Sequence, residues 1–418
     1  MVRRQNNYLL DIAAMAYVIC NITFCAGNLV ILNSLSMYFF LMVSILYIIR
    51  KRHIQLSSLY GIIHLMIFGI LLAISMLYAP HSAYSKSFAQ NTLYDYITML
   101  VILFCFSQYM RGEDEIKKIW IAIFIGGVAL SIYVFEMYGA DFWKILRANS
   151  VADSNNITRI GTGFVNTNTI GIYTSISMCL GLYYALFSEK VKRMVHKICF
   201  IVASTICFIM AMASGSKKSF VIMFTFWISI LAYKQIGSKK ILRGIKYLLI
   251  IVCAIIIIST LIQRLTIFSG IATRMDNFFS FIQLGKGSAS DSERSTFISQ
   301  GLKYWMKSPI WGNGLGASVY YMGMYAHNNF VEILMSLGIL GFTIFYWPVI
   351  SSIIKAIKNK MRSKEENELF ILSFALLVTA FVCGVAAVYY FDRYWMILIY
   401  SSIFMFRIVP KRFNNGCL

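Results

Sequence analysis

Of the five histidines in the chain, His327 has the surroundings best suited to chemistry. It opens the run His-Asn-Asn-Phe-Val-Glu-Ile-Leu, where a polar stretch passes into an apolar helix. An imidazole placed there can exchange protons with water and still face a site, and an ordinary pKa of about 6.5 suits a general base. The positive end of a helix favours the neutral ring, the form that accepts a proton. The plainer reading is that His327 and Asn328 cap the helix. Glu332 follows Asn328 by four residues, so an i,i+4 contact lets it orient that amide. His53 and His196 lie in basic segments, His64 in an apolar run and His81 in a short polar turn. Solvation or helix packing accounts for those four.

Cations recur where the chain leaves little room for them. Lys217 and Lys218 sit in Ala-Ser-Gly-Ser-Lys-Lys-Ser, a very short turn between two apolar runs. Arg294 heads a helix that starts in the polar stretch Ser288–Ser295, and Arg159 precedes Gly161-Thr-Gly-Phe-Val-Asn-Thr-Asn168. Arg offers phosphate a two-point fork and Lys a compact charge, so an anionic ligand explains these positions. Lys86, Lys286, Lys303 and Lys307 read as solvated charge. The turn Trp311-Gly-Asn-Gly-Leu-Gly316 lacks the strand and βαβ context of a phosphate loop. Gly314 and Gly316 are read either as a tight loop or as backbone that a ligand approaches closely.

The elements that must position these residues are membrane helices. The chain has 418 residues, 59% hydrophobic and 13% charged. Soluble domains carry about a quarter charged residues, so a soluble, disordered or nucleic-acid-binding protein is excluded. Twelve apolar runs approach the roughly 20 residues that cross a bilayer: 8–25, 30–49, 58–78, 92–110, 119–138, 168–187, 198–213, 220–233, 247–262, 329–354, 368–390 and 394–406. With the N-terminus inside, the inner segments hold 25 of the 38 Lys and Arg, which sets the orientation. The expected fold is an all-α integral membrane protein, a single polytopic domain over residues 1–418. It has about 12 transmembrane helices, both termini cytoplasmic, and one long ordered outer loop, 263–328, between spans 9 and 10. The pinned cations and His327 then share the outer side. Asp11, Asp95, Glu136 and Glu332 sit in or beside spans, where a carboxylate is costly and by default functional or paired. Tyr320, Tyr321, Tyr325, Tyr389, Tyr390 and Phe391 read as interfacial belts. The nine cysteines contain no CxxC pair, and no carboxylate cluster for a divalent cation appears in the outer loops.

These pieces occur in a recognisable order. The run from Arg294 through Pro309-Ile-Trp-Gly-Asn-Gly-Leu-Gly316 to His327-Asn-Asn, ending in Gly338-Ile-Leu-Gly341, resembles the O-antigen ligase and O-antigen/capsular polysaccharide polymerase superfamily. Gly161–Asn168 is similar to that family's segment entering a span. Ser214-Gly-Ser-Lys217 is similar to its Ser-Gly-Ser-Arg turn, with Lys in place of Arg.

The resemblance implies a metal-independent, inverting glycosyltransferase without a cofactor, in the bacterial cytoplasmic membrane with its site facing outward. The implied donor is an undecaprenyl-pyrophosphate-linked oligosaccharide, with membrane lipid and a flippase and chain-length regulator of the same pathway as partners and no nucleic acid. His327, Arg294 and Lys217 match the catalytic positions. Lys218, Arg159, Asn168, Gly314, Gly316, Asn328 and Glu332 are expected to bind substrate. Polymerase and ligase share such a site. The polymerase branch is favoured because an Ile-, Lys-, Asn- and Tyr-rich composition is common in surface-polysaccharide clusters. A non-enzymatic flippase of lipid-linked glycans is the alternative from another class, and it would place its charges nearer the bilayer midplane.

Overall fold

The computed structural model describes residues 8–27, 29–52, 54–55, 59–147, 160, 165–188, 193–236, 289–362 and 367–408. Arg159, the run 247–262 and residues 263–288 of the expected outer loop lie outside them. Among the described residues the secondary structure is helical throughout, in fourteen helices. They are α1 (Tyr8–Thr23), α2 (Val30–Lys51), α3 (Tyr60–Ser75), α4 (Ala83–Tyr109), α5 (Glu113–Tyr138), α6 (Asp141–Arg147) and α7 (Thr167–Phe187). There follow α8 (Met194–Ala213), α9 (Lys217–Gln235), α10 (Ala289–Trp305), α11 (Ala317–Met322), α12 (Asn329–Arg362), α13 (Glu368–Cys383) and α14 (Arg393–Ile408).

Six of these are long and apolar enough to cross a membrane: α2, α4, α5, α7, α8 and the Asn329–Met361 part of α12. Three shorter apolar helices, α1, α3 and α13, accompany them. Large apolar side chains point outward along several: Ile31, Ile45 and Ile49 on α2, Ile63, Met66 and Ile70 on α3. A surface of that kind is stable against lipid rather than water. The protein is an integral membrane protein of helices.

The chain forms two compact units. The first comprises Met1–Phe40, Lys117–Gly287 and Ser363–Ala375. Here α7 packs on α8 and α9. Small residues let the helices close up: Gly127 lies against Ser177, whose hydroxyl donates to the Ile123 carbonyl at 2.9 Å. Asp11, the first intramembrane acid, is paired with Lys118 at 2.5 Å, so the starts of α1 and α5 lie at the same end of this unit.

The second unit comprises Leu41–Ile116, Ser288–Arg362 and Leu376–Leu418. Helices α3, α4, α12 and α14 form its body, with α10 and α11 packed on α12 and α4. One end is basic: Arg111 lies over the Tyr47 ring near Lys51, and Arg407 lies over Tyr60 and donates to Ser351 at 2.9 Å. The other end carries the Gly312–Gly316 turn and His327. Helix α4 begins nine residues ahead of its expected span, because Ser82 and Ser85 form a reciprocal capping box.

One boundary differs from the sequence expectation for a tertiary reason. Helix α13 stops at Cys383 although apolar residues continue to Tyr390. Part of the cause is Asn329, fully buried, whose amide oxygen accepts the N–H groups of Tyr389 (2.9 Å) and Tyr390 (3.1 Å) and whose amide nitrogen donates to the Tyr346 hydroxyl at 2.7 Å. Its own N–H donates to the Gly384 carbonyl. Tyr389 and Tyr390 are therefore core residues at 1% exposure, not an interfacial belt.

Asp392 caps α14 by accepting the Trp395 N–H at 3.2 Å, while Arg393 reaches Asp95 at 3.7 Å. Burial pushes the Asp392 carboxyl up to about 6, against hydrogen bonds from Trp395 and Tyr394 and the charge of Arg393; Asp95 adds to the rise. The folded state thus keeps a proton that the unfolded chain has released above about pH 4. Stability falls as pH rises from about 4 to about 6 and levels off above that. Asp392→Asn keeps the cap acceptor and should flatten this slope, read as unfolding temperature in detergent across that range.

Candidate functional site

In the second unit the site residues converge where α10 crosses the start of α12. Gly301 of α10 packs on Val331 of α12, so closely that a Cβ on Gly301 would stand 2.5 Å from the valine methyl. Arg294, Phe297 and Gly301 follow one another at helical spacing, which puts all three on one face of α10. That face brings the Phe297 ring to 6.1 Å from the His327 ring. Tyr325 lies closer, at 4.2 Å between ring centroids. Burial raises the Tyr325 hydroxyl above its ordinary pKa, the Arg294 charge lowers it and the Glu332 charge raises it. Tyr325 is thus within electrostatic reach of both Arg294 and Glu332. The sequence reading as a belt residue missed this, because tyrosine near a span end carries no signal of which way it turns.

His327 is half-buried with a φ of 55°, the left-handed region, and its Nε2 lies 3.0 Å from the Met324 sulfur. Residues other than glycine are uncommon there, histidine being one of those better tolerated, and such conformations cluster at functional sites. Asn328 is the cap of α12: its Oδ1 accepts the N–H groups of Phe330 (2.9 Å) and Val331 (3.1 Å). Both oxygens of the substrate-binding expectation for Glu332 are already used inside the protein. Oε1 accepts from the Ser318 hydroxyl at 2.6 Å and Oε2 from the Ala326 N–H at 2.7 Å. Its side chain does not orient the Asn328 amide; the i,i+4 link between them is the backbone bond from Glu332 N–H to the Asn328 carbonyl.

The glycine-rich turn has its neighbours in the protein as well. Helix α12 breaks at Gly338 (φ 62°, ψ −162°). Segment 309–314 takes up the freed backbone groups: Asn313 N–H donates to the Met335 carbonyl (2.7 Å) and Gly314 N–H to Ser336 (3.0 Å). In return Ile339 N–H donates to Pro309 (2.9 Å) and Leu340 N–H to Ile310 (3.3 Å). At Gly314 a Cβ would collide with Ala79 and the Ser75 carbonyl, and at Gly316 with the Ser85 carbonyl. The close approach at these two glycines is made by the end of α3, the segment after it and α4, in keeping with the tight-loop reading of this turn.

The first unit gathers the other motif pieces. The turn Ser214–Ser216 sits against Gly171 of α7, and the Ser216 hydroxyl donates to the Asn168 Oδ1 at 3.0 Å. Lys217 and Lys218, half-buried, occupy the first turn of α9. The partial positive charge of a helix start adds to theirs, so this turn is a concentrated cationic spot. Asn168 and the lysines, 49 and 50 residues apart in sequence, thus belong to one local structure. The described neighbour of Arg159, Ile160, is buried beside the end of α8.

No curated protein matches the chain. Residues 200–346 match the family model described as O-antigen ligase (Wzy_C), a stretch that contains the Ser214–Lys217 turn, Arg294, the glycine turn and His327. Members of this family are glycan-transferring enzymes of surface polysaccharide synthesis. The chain is a multi-span membrane protein whose residues 200–346 are similar to the O-antigen ligase family.

Proposed function

We propose that the protein is a surface polysaccharide polymerase of the O-antigen or capsule type. It joins undecaprenyl-pyrophosphate-linked repeat units on the outer face of the bacterial cytoplasmic membrane, in a twelve-span arrangement with both termini inside. A hydroxyl oxygen of the acceptor sugar attacks the anomeric carbon of the donor glycan. The bond from that carbon to the pyrophosphate oxygen breaks, and undecaprenyl pyrophosphate leaves with the electron pair. His327 takes the acceptor proton. Attack opposite the leaving group inverts the anomeric centre. Arg294 and Lys217, with Lys218 and Arg159 nearby in the motif order, stabilise the charge that develops on the pyrophosphate. Asn168 holds the lysine turn through Ser216, and Asn328 holds the helix start that presents His327. The reaction needs no cofactor.

The observation that carries this reading is His327, held in left-handed backbone against Tyr325, which itself lies in the field of Arg294. A base with a cation acting on the same neighbourhood is what glycan transfer from a pyrophosphate requires. The description of the matching family favours a second reading, ligation of the glycan to lipid A-core. Reconstitution of the full chain in liposomes with a lipid-pyrophosphate repeat unit distinguishes them. A ladder of lipid-linked multiples is the expected product. Single transfer to added lipid A-core, with no ladder, would establish the ligase. Lipid-linked glycan that crosses the bilayer with no new glycosidic bond would leave a flippase.

A further inference from the structure

Glu332 has no part in the step described above, yet it is a fully buried acid near the start of an apolar helix. Burying a carboxyl is costly unless its oxygens are satisfied, so one that persists has a use. Both oxygens are tied to the segment that leads into His327. Oε1 accepts from Ser318 on α11 and Oε2 from the N–H of Ala326, the residue immediately before His327. These two bonds draw the 318–326 segment back onto α12. The peptide that enters His327 is thereby anchored on one side. On the other side Asn328 is anchored as the helix cap. The left-handed φ of His327 lies between two fixed points, and the Tyr325 ring packs on its imidazole.

We infer that Glu332 is a positioning residue for His327: its carboxyl ties down Ser318 and Ala326 and so holds the imidazole in its working geometry without touching substrate. With no exposed surface, Glu332 has no access to an acceptor sugar. This inference rests on the reading of His327 as the base.

The test uses the reconstituted full chain and measures kcat, KM and unfolding temperature together. Glutamine can rebuild the tie without charge, its oxygen accepting the Ala326 N–H and its NH2 donating to the Ser318 oxygen. Glu332→Gln should keep kcat within about threefold, whereas Glu332→Ala should lower it about 100-fold with KM little changed, as expected for a displaced catalytic group. The Ser318→Ala/Glu332→Ala pair should be no worse than Glu332→Ala alone, because both act through one tie. Wild-type kcat in the alanine variant, or a glutamine variant as impaired as the alanine one, overturns the inference. Should Glu332→Ala fail to fold, Ser318→Ala decides: a kcat loss of about tenfold at unchanged KM supports the tie, and wild-type kcat refutes it. His327→Ala run alongside separates the two readings. If that enzyme is active, the base assignment fails; if it is inactive while Glu332→Ala is fully active, only the positioning role fails.

Discussion

His327→Ala lowers glycan transfer by about 10²- to 10⁴-fold, the range a positioned general base contributes. The size of the loss follows from the chemistry. A sugar hydroxyl is a poor nucleophile until its proton leaves, whereas the groups that stabilise the leaving pyrophosphate do not depend on the histidine. The cationic contribution of Arg294 therefore survives, and residual activity above background is expected. The left-handed backbone at His327 complicates the alanine variant, since residues other than Gly, Asn, Asp and His are poorly tolerated there. His327→Asn provides the control: asparagine tolerates this conformation and offers no base. Both variants should lose transfer to a similar extent, while asparagine should keep the wild-type unfolding temperature in detergent. The acid limb of the pH–rate profile, which reports deprotonation of the base, should disappear with either. An asparagine variant that elongates glycan at the wild-type rate would remove His327 from the reaction.

Much of the helical frame was legible because a lipid environment leaves a one-dimensional trace. The runs read at 30–49 and 168–187 correspond to α2 (Val30–Lys51) and α7 (Thr167–Phe187) within two residues. At α4 the shift came from the local Ser82/Ser85 capping box; at α13 part of the cause lay across the fold. Gly384 is a local stop signal directly after Cys383, but nothing local shows how the turn is held; that is done by Asn329, which captures the N–H groups of Tyr389 and Tyr390. The site divides in the same way. His327, Arg294 and the Ser-Gly-Ser-Lys turn were visible as residue types at constrained places. The contacts that organise them were not: Ser216 with Asn168 is a pairing over 48 residues, and Glu332 reaches back over a loop to Ser318. Of the two readings of Gly314 and Gly316, a tight loop or backbone open to a ligand, the structure shows close packing against backbone and helices of the chain itself. Spacing alone could have suggested the Glu332 tie, since an acid one turn into an apolar helix needs donors and the preceding loop has the nearest ones.

Gly338→Ala should leave little folded protein, a loss of several kcal/mol. Two costs combine. The residue has φ 62° and ψ −162°, a region occupied essentially by glycine alone, where other residues pay about 1–3 kcal/mol. In addition, a Cβ there would stand 2.3 Å from the Ile310 carbonyl oxygen, 2.4 Å from its carbon and 2.7 Å from the Gly312 nitrogen. All three are backbone atoms, so no side chain can swing aside. Relief requires segment 309–314 to move off α12, which abandons the four backbone bonds exchanged across the break. Each buried group left unpaired costs about 1–3 kcal/mol, and a whole domain has only about 5–15 kcal/mol in hand. Gly323→Ala isolates the first cost from the second. Its φ is 75°, yet nothing lies within 4 Å of the added Cβ, so it should lose about 1–2 kcal/mol by backbone strain alone. Unfolding temperature and the yield of monodisperse protein in detergent measure both variants. A Gly338→Ala protein no less stable than Gly323→Ala would mean that the loop does not need its close seat in the helix break. The Pro-x-x-Gly-x-Gly turn and the Gly-x-x-Gly of α12 would then be two independent features instead of the two halves of one joint.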